Sequence, residues 1–134
     1  LGTIGSWFGY PDISLQQILG VIFAPLAWIL GVPWEEASRA GSFIGQKIIL
    51  NEFVAYKALL DDGSLSPISE GIVTFALCGF ANLSSIAILL GGLGGMAPSR
   101  RPDIARMGLK AVFAASLANF MSAAIAGLFL TLGS

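Results

Sequence analysis

Four residues that do chemistry in other proteins stand in an oily setting here. The stretch "GQKIILNEFVAYKALL", residues 45–60, sets Lys47, Asn51, Glu52 and Lys57 among Ile48, Ile49, Leu50, Phe53 and Val54. A solvated loop has no need of those apolar neighbours, and a packed core tolerates Asn51 and Glu52 only when each has a partner. A second polar cluster follows in "CGFANLSSIAILLGG", where Gly79, Asn82, Ser84 and Ser85 interrupt an uncharged run from Gly71 to Ser99. A carboxylate accepts hydrogen bonds, whereas an amide or a hydroxyl both donates and accepts. Such groups suit either a ligand site or polar partners that hold helices together. The chain contains no histidine, which removes a Ser-His-Asp triad and any His-containing zinc site. Enzymatic use of Glu52 as a base would lack a nucleophile, a metal set and a second acid, so no enzyme is expected.

Elements that position these residues must be built in a membrane. The chain has 134 residues, 55% of them hydrophobic and 11% charged, against roughly 25% charged in soluble domains. Mean hydropathy is +0.81. A net charge of −1 offers nothing to nucleic acid, and the lone Cys78 excludes an intrachain disulfide. The sequence opens at Leu1 with no basic n-region, so a signal peptide is not expected and the chain reads as a fragment.

Four apolar blocks follow one another. Residues 111–132 are uncharged and long enough, at about 33 Å as a helix, to cross a hydrocarbon core of about 30 Å. Ala114, Ala118, Ser122 and Ala126 make a small-residue stripe suited to close helix contact, and Asn119 can bond to a neighbouring helix. The 71–99 block reads as two half-helices, with Asn82 capping the second and Ser85 on its first turn. A glycine kink with serines bonded to their own helix is the alternative. In residues 34–60 no uninterrupted run reaches the roughly 20 residues of a span. Two short helices turning near Leu50–Asn51–Glu52 fit, as a re-entrant hairpin with Asn51 as cap and Glu52 at the positive helix end. A buried ion pair of Glu52 with Lys47 or Lys57, or a segment wholly in water, stays open. Leu15 to Val32 carries an apolar stripe through Leu15, Ile18, Leu19, Ile22, Leu26, Ile29 and Leu30, with Asp12 and Ser14 as start signals and Gly31 and Pro33 as stop signals. It is expected to lie along the membrane surface, with a crossing as the alternative. Arg100, Arg101, Arg106 and Lys110 put the link between the last two blocks in the cytoplasm, leaving the acidic loops outside.

These motifs carry a resemblance. "GQKIILNEFVAY", "FALCGFANLSSIAILLGG", "PSRRPDIARMGLKAV" and "GVIFAPLAWILGVPWEEA" resemble the C-terminal portion of the concentrative nucleoside transporters across nearly the whole chain. The resemblance implies an all-α membrane fold that is one half of an inverted-repeat transporter. Its parts are an external interfacial helix region (1–33), a re-entrant hairpin (34–62), a broken transmembrane helix (63–99), a cytoplasmic basic link (100–110) and a final transmembrane helix (111–134). It implies cation-coupled nucleoside uptake, with Glu52, Asn82 and Ser85 hydrogen-bonding ribose hydroxyls and Phe80 walling the pocket. It also implies a plasma-membrane location (the inner membrane in a bacterium) and a homotrimer. The family's first-hairpin motif for the nucleobase is not in this sequence, so the coupling sodium or proton belongs to the missing N-terminal repeat and no ligand for it is expected here. A helix-packing subunit of a membrane complex, with no substrate site, is the rival reading.

Overall fold

The computed structural model describes residues 14–133. Among these, every regular element is helical: α1 (Leu15–Ile29), α2 (Trp34–Ile49), α3 (Glu52–Asp62), α4 (Pro67–Leu77), α5 (Leu83–Met96), a 3-10 turn (Pro98–Arg100) and α6 (Arg101–Leu132). The start signal expected at Asp12 lies outside the described residues. Ser14 does cap α1, its Oγ accepting from the Gln17 amide while the Gln17 side chain accepts from the Ser14 amide.

Gly31, at φ +107, and Pro33 end α1 and turn the chain through a 115° bend into α2. The two helices then pack through small residues. A Cβ on Gly41 would lie 2.7 Å from the backbone of Phe23 and Ala24, and one on Gly20 would lie 2.6 Å from the Ser38 carbonyl. This contact buries Gly20, Ala24 and Ala27 together with Leu19 of the large apolar stripe, while Ile22 and Ile29 of that stripe face outward.

Helices α2 and α3 form an antiparallel hairpin. At its mouth, Arg39 meets Ser64 and Asp62, and the Glu36 carboxylate accepts from the Ser66 amide and hydroxyl. Its tip is Leu50–Asn51. Ser66 then caps α4, which has Pro67 at its first turn and ends at Leu77, where the chain breaks through Gly79 at φ +144. Helix α4 packs on α6 at close range: Cβ atoms on Gly71 and Gly127 would meet Leu130 at 2.5 Å and Ile72 at 2.8 Å. The core joining hairpin, α4 and α6 is correspondingly small-residue-rich, with Ala37, Ala40, Ala55, Ala76 and Ala123 wholly buried.

Two expectations are corrected. The basic link 100–110 is not a loop preceding a helix at Ala111. From Arg101 onward it is the first three turns of α6, started by Pro102 and Asp103 and stitched by Arg100–Asp103 and Arg106–Asp103 ion pairs of 2.9 and 3.6 Å. The 32-residue α6 is about 48 Å long, so its basic turns extend beyond a hydrocarbon core of about 30 Å. The small-residue stripe also lies mostly off the covered face of α6 in this chain. Ala114, Ala118 and Ser122 are exposed and Ala126 is partly buried, while Gly108, Ser116, Phe120, Ala123 and Gly127 make the buried face. Many large apolar side chains, among them Val21, Phe53, Phe113 and Leu132, stay exposed, a surface suited to lipid or to further protein rather than water.

Candidate functional site

Two helix starts meet at the site. Asn51 and Asn82 each adopt extended backbone and then cap a helix, Asn51 Oδ1 accepting from the Val54 amide at 2.9 Å and Asn82 Oδ1 from the Ser85 amide at 2.8 Å. Both signals are local and were legible as such. What joins them is tertiary. Asn82 Nδ2 donates to Glu52 Oε2 at 2.9 Å, and Ser84 Oγ donates to the Leu50 carbonyl at 2.8 Å. The hairpin tip is thereby tied to the first turn of α5.

Of the expected residues, Glu52, Asn82 and Ser85 come together. Ser85 Oγ reaches the Phe80 carbonyl and, at 2.9 Å, Asn82 Oδ1; its one proton serves one of them at a time, leaving lone pairs to accept. Asn82 is buried and its amide is engaged with Glu52 and Ser85, so within this chain it holds the other two in place. Glu52 and Ser85 are half-buried. The second Glu52 oxygen makes no hydrogen bond among the described residues, so it is an acceptor at the positive ends of two helices. Phe80 is 81% exposed and stands beside the trio as a free aromatic face. An apolar cleft of about 650 Å³ between α5 and α6 includes Ile86, Leu93 and Met107 but none of the trio. The polar residues lie on a more open face.

The expected ion-pair alternatives take another form. Lys57 pairs with Asp61 at 2.7 Å on the exposed side of α3, away from Glu52. Lys47 is wholly buried, and its Nζ has no hydrogen-bond partner among the described residues. Asn119, expected to bond to a neighbouring helix, packs against Gly79 in the α4–α5 break, and its Nδ2 has no partner among the described residues either. Ser84, already part of the polar cluster in the sequence, gains a role from the structure: it holds the hairpin tip. One further residue emerged only from the structure. Tyr56, one turn after Glu52, donates to the Thr74 carbonyl at 2.8 Å and ties α3 to α4.

Among the described residues the chain is all-helical, with two capped helix N-termini at one partly open polar cluster and one helix long and apolar enough to cross a membrane. The family described as Na+ dependent nucleoside transporter C-terminus matches residues 1–127, and the chain belongs to it. It is 59% identical over 97% of its length to an uncharacterized transporter, YutK, of Bacillus subtilis, and 51% identical over 96% to a putative nucleoside permease, NupX, of Escherichia coli. A solved structure of CNTnw in an inward-facing substrate-bound state superimposes with a TM-score of 0.90 at 58% identity, covering 98% of this chain and 33% of that one. The chain spans about a third of the length of the relatives it matches, covering 32% of both YutK and NupX. These relatives are named as transporter and permease, and as a member of the nucleoside transporter family the chain is part of a membrane protein rather than an enzyme.

Proposed function

We propose that this chain supplies the ribose-reading half of a cation-coupled nucleoside uptake transporter. The observation that carries the reading is the Asn82–Glu52 hydrogen bond, which fuses two capped half-helices and leaves one carboxylate oxygen open. Glu52 accepts from the ribose hydroxyls, Ser85 adds a donor-acceptor, Asn82 makes the arrangement rigid and contributes its remaining hydrogen-bond capacity, and Phe80 walls the substrate. In this reading α2 and α3 are a re-entrant hairpin with its mouth outside, α4 and α5 are one broken span, and α1 lies at the membrane interface. The basic start of α6 faces the cytoplasm, in the plasma membrane or a bacterial inner membrane. The nucleobase contacts, the coupling-ion site and the other inverted repeat belong to the further two-thirds that relatives possess, and the assembled transporter is a homotrimer. The Na+ dependence in the family's description supports sodium over proton as the coupling ion.

The test is competition for uridine uptake by the full-length transporter. Ribose-bearing nucleosides compete in this reading and free nucleobases do not. Equal competition by uracil and uridine would remove the ribose assignment. The burial and internal bonding of Asn82 also fit a polar cluster that only glues helices together. Under that rival, loss of the Glu52 charge would leave uridine affinity untouched.

A further inference from the structure

Two adjacent serines follow the Asn82 cap, and they reach in different directions. Ser85 Oγ turns back to Asn82 and the Phe80 carbonyl, its neighbours in sequence. Ser84 Oγ instead crosses 34 residues of sequence to donate to the Leu50 carbonyl at 2.8 Å. A serine near a helix start readily bonds to backbone close by in sequence, so this long-range partner calls for a reason. Leu50 is the C-cap of α2, and the last carbonyls of a helix have no amide of that helix to accept from. Ser84 supplies a donor at the point where the chain reverses.

The other contact at the tip is of a different kind. The Asn82–Glu52 bond of 2.9 Å joins two side chains. A glutamate has several rotatable bonds, so that contact can follow shifts of the backbone behind it. The Ser84 bond ends on the backbone itself, at the peptide that joins Leu50 to Asn51. Asn51 then caps α3 through the Val54 amide, and Glu52 is the first residue of that helix. Pinning this peptide therefore places Glu52 relative to the start of α5, which carries Asn82 and Ser85. The hairpin mouth is held separately, by Glu36 on Ser66 and Arg39 on Asp62. Ser84 thus decides the position of the tip alone.

We propose that Ser84 is a positioning residue of the substrate site: by pinning the Leu50 carbonyl it sets where Glu52 presents its open oxygen beside Ser85. It acts through the hairpin backbone and not by touching the ligand. This deepens the ribose-reading assignment and rests on it.

The experiment uses the full-length transporter in detergent, with Ser84→Ala and Ser84→Thr made alone and in a Glu52→Gln background. Radiolabelled uridine binding, thermal stability and amide hydrogen exchange without ligand are measured on each. Ser84 is exposed and alanine suits a helix, so the melting temperature of Ser84→Ala should stay near that of the wild type. Uridine binding should weaken by about threefold to tenfold, the worth of one neutral hydrogen bond, and Ser84→Thr should recover most of it. Amides of residues 48–56 should exchange faster in Ser84→Ala, while those of the mouth, residues 61–70, keep their protection. In the Glu52→Gln background the alanine change should cost no further affinity, because the oxygen it positions is gone. Equal losses in both backgrounds overturn the proposal, as does faster exchange at tip and mouth alike. Wild-type affinity in Ser84→Ala beside an impaired Glu52→Gln overturns the positioning role and leaves the ribose reading standing. Wild-type affinity in Glu52→Gln itself overturns the ribose reading, and the proposal with it.

Discussion

Replacing Glu52 by Gln separates the roles assigned to this carboxylate. The Gln carbonyl oxygen can still accept from Asn82 Nδ2, so the 2.9 Å bond joining α3 to α5 is retained and the hairpin tip stays docked. Two things are lost: the negative charge, and the second oxygen as an acceptor, since an amide nitrogen takes its place. Hydrogen bonds to charged groups contribute about 1.5–3 kcal/mol net, which corresponds to about a 10- to 150-fold loss of nucleoside affinity. The lower part of that range is the expectation, because Glu52 is only half-buried in this chain and solvent weakens what its charge contributes. The assay is equilibrium uridine binding to folded full-length protein, with a thermal melt recorded without ligand. Because the Asn82 bond is retained, the melting temperature of Glu52→Gln should stay close to that of the wild type. Stability thereby reports the retained docking contact and binding the lost acceptor. Near-normal uridine affinity in the single variant refutes the reasoning.

The backbone of the site offers sharper steric tests. Gly79→Ala should destabilise by about 1–3 kcal/mol in thermal melts through its φ of +144, with a further clash because the new Cβ falls 2.5 Å from Asn119 Nδ2. Adding Asn119→Ala should recover the clash but not the strain, and full recovery would show the backbone conformation to be unimportant. Gly41→Ala should loosen α1 from α2, at about 1–3 kcal/mol, since its Cβ would lie 2.7 Å from the backbone of Ala24. Gly91→Ala, with nothing within 4 Å of the new Cβ, should be neutral or slightly stabilising in the same melt. For topology, cysteines introduced at Arg100 and Arg106 in a Cys78-replaced full-length protein should be labelled only from the cytoplasm. Cysteines at Asp61 and Ser64 should be labelled only from outside, and a common side would invert the proposed arrangement.

The breaks in the helices were legible because capping is local. Asn51 and Asn82 each sit just before a helical run, and a side-chain oxygen three residues from an amide needs no tertiary information to bond it. Which face of a helix is covered is not local. Periodicity correctly grouped Ala114, Ala118 and Ser122, yet Ser116, Phe120, Ala123 and Gly127 face α4 and the core. A stripe shows which residues share a side, while contact depends on where the neighbouring helix lies. The basic run at Arg101 to Lys110 misled for a related reason. Charges in sequence mark where a chain leaves the hydrocarbon, but a helix leaves it as readily as a loop does, and Asp103 between two arginines stabilises the helical option.

The lysines make the same point at the site itself. Lys47 and Lys57 flank Glu52 at five residues on either side and were equivalent candidates for its partner. Helical geometry separates them. Lys57 shares α3 with Asp61 one turn later and finds an exposed i,i+4 partner there. Lys47 lies on α2, across a tip at which the helix ends and the chain reverses, so its stem is carried inward under the hairpin. The Glu52–Asn82 bond spans 30 residues of sequence and depends on that same reversal. Only after the hairpin closes does the start of α5 meet a carboxylate. The site thus comes from one folding event, the docking of the hairpin tip against the broken helix. A substitution that undocks the tip should therefore disrupt the acceptor, whereas one that removes Lys47 alone should leave the docking contacts of Ser84 and Asn82 in place.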